Sequence, residues 1–481
     1  MSADPGVYSS PLAERYSSRQ MLTLWSARRR IGLWRRLWLA LAEAERELGI
    51  AIPGDAIEQM RAHLDDIDFE SAARYERRFR HDVMAHVHTF ADVAPAAHKF
   101  IHLGATSAYV TDNADLMVIR EALRLTLGRI AAVLGALGDL ASRFADLPCL
   151  GYTHFQPAQL TTVGKRATLW AQDFGLDADE LCNRIESVRF LGCKGTTGTQ
   201  ASFLELFRGE HEKVQELDRR VSARMGFDRV FPVSGQTYPR KTDSTVLDAL
   251  SGIAQSASKM AADLRLLQHE GELLEPFESD QIGSSAMAYK RNPMRAERIT
   301  GLARFLISLQ QNTAQTAAAQ WLERTLDDSA NRRIVLPEAF LAADAILIVA
   351  RNIVTSLEVR EPVIARNVSA QMPFMATERW LMLGVAAGGD RQELHEVIRQ
   401  LSLGAAEAVG SGRPNELLNR LASHPAFAGI PAERLAAELD PARYVGRAPQ
   451  QVGEFLIGHL KPLLERASGL AVSAPPEEVQ V

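Results

Sequence analysis

Asp112-Asn113-Ala114-Asp115-Leu116-Met117-Val118-Ile119-Arg120-Glu121-Ala122-Leu123-Arg124-Leu125-Thr126-Leu127-Gly128-Arg129-Ile130 opens the clearest amphipathic pattern in the chain. Leu116, Ile119, Leu123, Leu127, Ile130, Leu134 and Leu137 follow one another at spacings of three and four. That is one stripe of a helix. The pattern predicts a helix over 112–146, with Asp112 capping its start and Pro148 just beyond its end.

Working outward, Val246, Leu250, Ile253, Ala257, Met260, Leu264 and Leu267 alternate spacings of four and three, a heptad-like seam. A third helix is predicted over 294–324 and a fourth from Pro337 over 337–357. Such helices cannot each bury a stripe alone, so they pack together or against copies of themselves. The expected fold is all-α. A long central helical bundle over 107–360 is flanked by two smaller helical domains, 1–106 and 361–481. The first carries helices near 33–48 and 57–64. The second opens at Glu361-Pro362 and ends in a tail, 471–481, whose composition reads as disordered. No segment shows a convincing period-two strand pattern.

The 481 residues are 46% hydrophobic and 23% charged, the profile of a globular protein in water. A net charge of −5 gives no global attraction to nucleic acid or to an acidic membrane surface. Cys149, Cys182 and Cys193 are odd in number, widely spaced and without a CxxC pair. They argue against a disulfide framework or a cysteine zinc site. The N-terminal residues lack a basic-then-apolar signal pattern. No apolar run reaches the ~20 residues of a membrane span. A cytoplasmic location is expected, with neither nucleic acid nor membrane as partner.

The unusual polar sequences lie at helix ends and loops. Gly283-Ser284-Ser285-Ala286-Met287-Ala288-Tyr289-Lys290-Arg291-Asn292-Pro293-Met294 puts hydroxyls, a lysine and an amide into one loop. It leads to a helix start at Asn292-Pro293. Fixed positive charge and free N–H groups beside a serine favour an ionised hydroxyl or a bound carboxylate. Arg80-His81-Asp82 opens a histidine-dense run through His86 and His88, which reads as a polar cluster or, less well, as a metal site. His154 stands before Pro157, which fits a helix start and leaves the histidine in a loop. Thr106 and Ser107 precede the long helix and read as caps. Lys194-Gly195-Thr196-Thr197-Gly198-Thr199-Gln200 is a glycine-broken connection. Arg324, Ser329, Arg332 and Arg333 can grip a phosphate, or pair with Asp327 and Asp328 in a surface network.

These sequences stand in an order that resembles the adenylosuccinate lyases of the fumarase/aspartase superfamily. The loop at 283–294 resembles the superfamily signature, and Tyr289-Lys290-Arg291-Asn292-Pro293-Met294-Arg295 narrows it. Thr153-His154-Phe155-Gln156-Pro157-Ala158-Gln159 resembles a second signature, and the likeness runs over about 10–448. One departure is Ala288, where the superfamily usually has proline.

The resemblance implies β-elimination of fumarate from adenylosuccinate and from the related carboxamide ribotide of purine synthesis. It implies Ser284 as base and His154 as acid toward the leaving nitrogen, with His81 supporting the opposite side. Lys290 and Asn292 would face the developing charge. Arg80, His81 and Asp82 would line the substrate site, and Thr106 and Ser107 would hold the succinyl carboxylates. Arg15, Tyr16, Arg324, Ser329 and Arg333 would hold the phosphate, with Gln236 and Arg298 on the rest of the nucleotide. It implies no metal and no cofactor, and a homotetramer whose active sites are shared between subunits. Competing readings are another succinyl-group lyase, a metal-dependent phosphohydrolase built on His81-Asp82, and a non-catalytic scaffold.

Overall fold

The computed structural model describes residues 6–278, 280–287, 289–475, 477 and 479. Helix accounts for 69% of the described residues, the all-α class expected. The functional part is framed by α1 (Ala27–Glu47), α2 (Asp82–Val93) and α3 (Ser107–Arg143). Next come a hairpin of β1 (Pro148–Thr153) and β2 (Gln156–Thr162), then α4 (Val163–Ser187). The bundle is completed by α5 (Lys241–His269), α6 (Met294–Ala318) and α7 (Asp327–Thr355). Helix α3 packs on α4 and α7, and α5 packs on α4, α6 and α7. All seven residues of the α3 stripe have zero exposure, each burial worth roughly 2 kcal/mol before entropy is charged against it. The α5 seam is buried along its whole length. By length and hydropathy α3 could cross a membrane, yet most of its apolar window is buried inside the bundle. It is a core helix.

Four local expectations are corrected. Helix α3 starts at Ser107 rather than Asp112, because Asp112 is buried and accepts from Tyr238 N at 3.0 Å instead of capping. Helix α6 stops at Ala318, before Arg324. Helix α7 starts ten residues ahead of Pro337 and runs through it. An interior proline costs a helix about 3 kcal/mol; buried ion pairs at Asp328 and Arg332 anchor the turns before it. Pro157 lies in a strand, not at a helix start. It faces Tyr152 beside a register shift between Leu150 and Tyr152, where a missing N–H is tolerated. The helix begins later, where the Thr162 side chain accepts from Lys165 N at 3.0 Å.

The boundaries expected at 106/107 and 360/361 fall at element starts, since α3 begins at Ser107 and α8 (Glu361–Met375) at Glu361. The cores divide the chain differently. Residues from Leu12 to Met372 share one core, rejoined by Val452, Leu460 and Ala467 near the C-terminus. A second core gathers Trp380, Leu394, Leu417, Phe427 and neighbours. The tail, expected to be disordered, lies along α3 in its described residues: Val472 N donates to Arg124 O at 3.1 Å. Gly128 admits it, since a Cβ there would stand 2.2 Å from Val472 O. Ala288 lies outside the described residues.

Glu45 of α1 has zero exposure, and neither carboxyl oxygen has a hydrogen-bond partner among the described residues. Burial pushes its carboxyl up from 4.5 to about 9. The unfolded chain releases this proton near 4.5 and the folded chain keeps it. Its contribution to stability is therefore full below the unfolded value and is lost as pH rises toward about 9. Glu45→Gln is expected to melt progressively higher than the parent as pH rises from 5 to 8, the gap growing by about 1.4 kcal/mol per pH unit at most. Thermal unfolding across that range checks it; a gap independent of pH would mean that Glu45 is not a buried neutral acid.

Candidate active site

A cleft of about 740 Å³ opens where α2, α3 and α7 meet. Its floor is a buried ion network. Arg240, 3% exposed, donates from Nε to Asp328 at 2.6 Å and from Nη1 to Asp112 at 2.9 Å. Arg332 donates to Asp243 at 2.7 Å and pairs with Asp115 at 3.0 Å. It also donates to the Tyr238 hydroxyl, which in turn donates to Asp243 at 2.6 Å. Burial raises the Asp115 carboxyl, and Arg332 partly counters this. Arg324 joins the same network through Asp328 at 3.0 Å. Asp328 is 1% exposed, so the surface-network alternative is corrected: the pairing is internal.

Eight of the expected site residues line this cleft: Arg80, His81, Asp82, Ser107, Gln236, Arg324, Ser329 and Arg333. Arg333 pairs with Asp82 at 3.0 Å across the cleft mouth. His81 caps α2, its Nδ1 accepting from Met84 N at 3.3 Å. That bond places the proton of the neutral ring on Nε2, which lies 3.4 Å from Ser107 Oγ. Arg80 just before it has φ +55°, the left-handed region, a strain that a non-glycine residue keeps only where its surroundings enforce it. Gln236 is fixed from both sides: its N donates to Glu323 O at 3.0 Å and its Nε2 to Thr196 O at 3.1 Å. Thr106 occupies the cap position of α3 without a capping side-chain bond.

The remaining candidates form three separate groups. Arg15 and Tyr16 lie in a short π turn, Leu12–Tyr16, and the Arg298 guanidinium sits 5.0 Å from the Tyr16 ring centre. In the loop before α6, the Ser284 hydroxyl oxygen accepts from Ala286 N at 3.3 Å and Met287 N at 3.1 Å. These two donors, rather than N–H groups near Asn292, favour negative charge on that oxygen. Asn292 instead donates to Gly283 O at 2.8 Å and closes the loop at its base. Lys290 is exposed. His154 and Phe155 are the two turn residues of the hairpin, at φ +52° and +57°. His154 is exposed at its tip.

The histidine-dense run does not gather into a metal site. His86 packs edge-on against Trp34 and Phe69, and His88 stacks on Tyr75. Among the described residues no group of three His, Cys, Asp or Glu side chains could hold a metal ion. Lys194, in the glycine-broken connection, is spent on Asp218 at 2.7 Å. Sequence reading missed Arg240, Asp115, Tyr238 and Asp243. The available signal was Asp112 and Asp115, charges set into an apolar helix, which are buried only when paired.

Residues 9–307 match the family described as lyase, and residues 373–455 match that described as adenylosuccinate lyase C-terminus. The chain is 52% identical over 453 residues to adenylosuccinate lyase of Saccharomyces cerevisiae, covering 93% of this chain and 94% of that one. It is 50% identical over 457 residues to that of Schizosaccharomyces pombe, covering 94% and 95%. In fold it is similar to 3-carboxy-cis,cis-muconate lactonizing enzyme from Pseudomonas putida. The TM-score is 0.79 at 22% identity, over 96% of this chain and 99% of that one.

Asp328→Asn keeps the volume but leaves Arg240 and Arg324 short of a buried charge. Chemical denaturation is expected to show a loss of about 3–5 kcal/mol. Parent-like stability would mean that the cleft floor does not depend on this carboxylate.

Proposed function

The chain belongs to the adenylosuccinate lyase family of the fumarase/aspartase superfamily, and from that premise we propose that it eliminates fumarate from adenylosuccinate to leave AMP. It does the same to succinylaminoimidazole carboxamide ribotide (SAICAR), leaving AICAR, and is thus a carbon–nitrogen lyase of purine synthesis. The observation that carries the reading is the cleft that unites Arg80, His81, Asp82, Ser107, Gln236, Arg324, Ser329 and Arg333. A nucleotide bearing a phosphate and two carboxylates needs the donors of such a wall, its arginines, histidine, serines and glutamine, with Asp82 holding Arg333 in place.

In this mechanism Ser284 takes the proton from the succinyl carbon next to a carboxylate. The C–H electron pair becomes the double bond of fumarate. The C–N pair leaves with the nitrogen, which His154 protonates. A serine is a weak base, so its oxygen must be held by donors; the N–H groups of Ala286 and Met287 already point at it. Lys290 and Asn292 meet the developing charge. His81 backs the opposite side, and Thr106 with Ser107 takes the succinyl carboxylates. Arg15, Tyr16, Arg324, Ser329 and Arg333 grip the phosphate, while Gln236 and Arg298 hold the rest. Side chains handle every charge, so the reaction calls for no metal or organic cofactor. The working location is the cytoplasm.

We assign the complete site to a homotetramer, with neighbouring copies supplying the Ser284 loop and His154 to each cleft. Supporting this, His154 is exposed, Ser284 is half-buried in a loop whose residues 285–287 are exposed, and neither lines the cleft. Bundle helices also leave apolar side chains outside: Leu176 of α4 is 66% exposed and Phe305 of α6 is 39%.

Fumarate release is the test. Ser284→Ala is expected to lose turnover by roughly 10²–10⁴-fold with binding retained; near-parent turnover would sink the base assignment. Arg333→Ala is expected to raise KM roughly 10- to 100-fold, and an unchanged KM would move the phosphate elsewhere. Mixing Ser284→Ala with Arg324→Ala subunits is expected to restore part of the activity, since some sites then draw both parent residues. No recovery after verified subunit exchange would confine the site to one chain.

A further inference from the structure

We propose that the described part of the C-terminal segment, residues 471–475 and Glu477, is a strap that positions the arm carrying Arg15 and Tyr16, with Arg129 and Asp344 as the positioning residues between them. The proposal rests on the reading that Arg15 and Tyr16 grip the substrate phosphate.

The arm has little hold of its own. Leu12 is the one buried residue of its π turn, and Arg15 is exposed. Beyond Leu12 in the core and Tyr16 packed against it beside Arg298, a row of hydrogen bonds to one face of α7 fixes it. Ser10 Oγ donates to Glu338 at 3.4 Å, Ser17 Oγ to Leu341 O at 3.0 Å, and Ser18 N to Asp344 Oδ2 at 2.6 Å. The acceptors are three residues apart, the spacing of a single helix face. The strongest is the last, because its acceptor is charged and wholly buried.

Asp344 is held in turn. Its other oxygen accepts from Arg129 Nε at 3.1 Å. Burial pushes the Asp344 carboxyl up, and Arg129 opposes that. Arg129 is itself 3% exposed, and the tail satisfies most of the rest of its guanidinium, with Nη2 also donating to Gln20 Oε1 at 3.5 Å. Nη1 donates to Pro475 O at 2.5 Å, and Nη2 pairs with Glu477 at 3.1 Å. A buried guanidinium stripped of these partners is costly and would turn away from Asp344 toward water. The tail also reaches the arm directly, since Gln20 Nε2 donates to Ser473 O at 3.5 Å. The line Glu477–Arg129–Asp344–Ser18 therefore ends two residues from Tyr16.

Gly128 makes the tail's approach a built feature. In mid-helix a glycine costs roughly 0.5–1 kcal/mol relative to alanine, and α3 is otherwise packed along this stretch. A Cβ at 128 would stand 2.2 Å from Val472 O and 3.3 Å from the Ala474 Cβ. The helix gives up propensity so that the tail's backbone can lie on it.

The test compares parent, a chain ending at Leu470, Gly128→Ala, and the two changes combined, with Arg15→Ala as control. Two quantities are read: KM and kcat for fumarate release from adenylosuccinate, and the rate of trypsin cleavage after Arg15 and Arg19 in the folded protein. Truncation is expected to raise KM about tenfold, the equivalent of one weakened phosphate contact, with kcat within about twofold, and to speed cleavage of the arm. Gly128→Ala in the full chain is expected to reproduce both effects in part, and to add nothing in the truncated chain. It keeps the whole sequence, so it decides the matter if truncation impairs folding. A raised KM for Arg15→Ala with parent-like KM and cleavage in both tail variants would overturn the strap and leave the phosphate reading standing. An unchanged KM for Arg15→Ala would remove the phosphate reading, and the strap with it. Faster cleavage with unchanged KM would reduce the tail to a structural clasp and overturn the positioning role.

Discussion

Two guanidinium groups, Arg240 and Arg332, sit inside the bundle almost out of contact with water, ringed by the carboxylates of Asp112, Asp115, Asp243 and Asp328. Removing such charges from water costs several kcal/mol per ion, which is recovered only when every donor finds an acceptor in good geometry. Here the acceptors come from α3, α5 and α7, so the pairing is satisfied in one relative placement of three helices. A hydrophobic seam alone would tolerate sliding; a network of directional bonds does not. Arg324, Gln236 and the start of α7 inherit their positions from it.

The same constraint explains local departures from propensity. Helix α7 carries a proline in its interior because the turns before it are held by Asp328 and Arg332 rather than by the backbone ladder alone. The α3 start extends past Asp112 because that carboxylate has a buried guanidinium to serve. The loops at 194–200 and 234–236 approach so closely that a Cβ on Gly198 would stand 1.8 Å from Ser234 O, and this contact sets Gln236 against the cleft.

The bundle was legible because apolar periodicity records burial directly: the stripe from Leu116 to Leu137 and the seam from Val246 to Leu267 are both fully inside. The hairpin was not. Its strands are short, and β2 is mostly exposed with a proline in it, so it carries no alternation to read. The buried network was hidden for a different reason. Asp112 and Arg332 are far apart in the chain, and a lone charge looks the same in sequence whether it meets water or a buried partner. Motif order, through the family resemblance, proposes the chemistry of Ser284, Lys290 and His154, but spacing along one chain says nothing about which copy's cleft they would enter.

That last point has a physical basis in how the two kinds of element are held. The cleft wall rests on buried ion pairs and cannot shift without breaking them. The proposed reacting groups sit on elements with little support of their own. The hairpin turn at His154 and Phe155 places two non-glycine residues in the left-handed region, at a cost of roughly 1–2 kcal/mol each that an Asn-Gly pair would avoid. The Ser284 loop leaves Ile282 79%, Met287 50% and Tyr289 85% exposed. Strain without local compensation and apolar side chains without local burial both ask for a neighbour. A second copy that covered the loop and seated the turn would supply it, and would bring base and acid to a wall that is already rigid. On the proposed function, rigid recognition and movable chemistry fall to different parts of the fold, and assembly of copies would be the step that joins them.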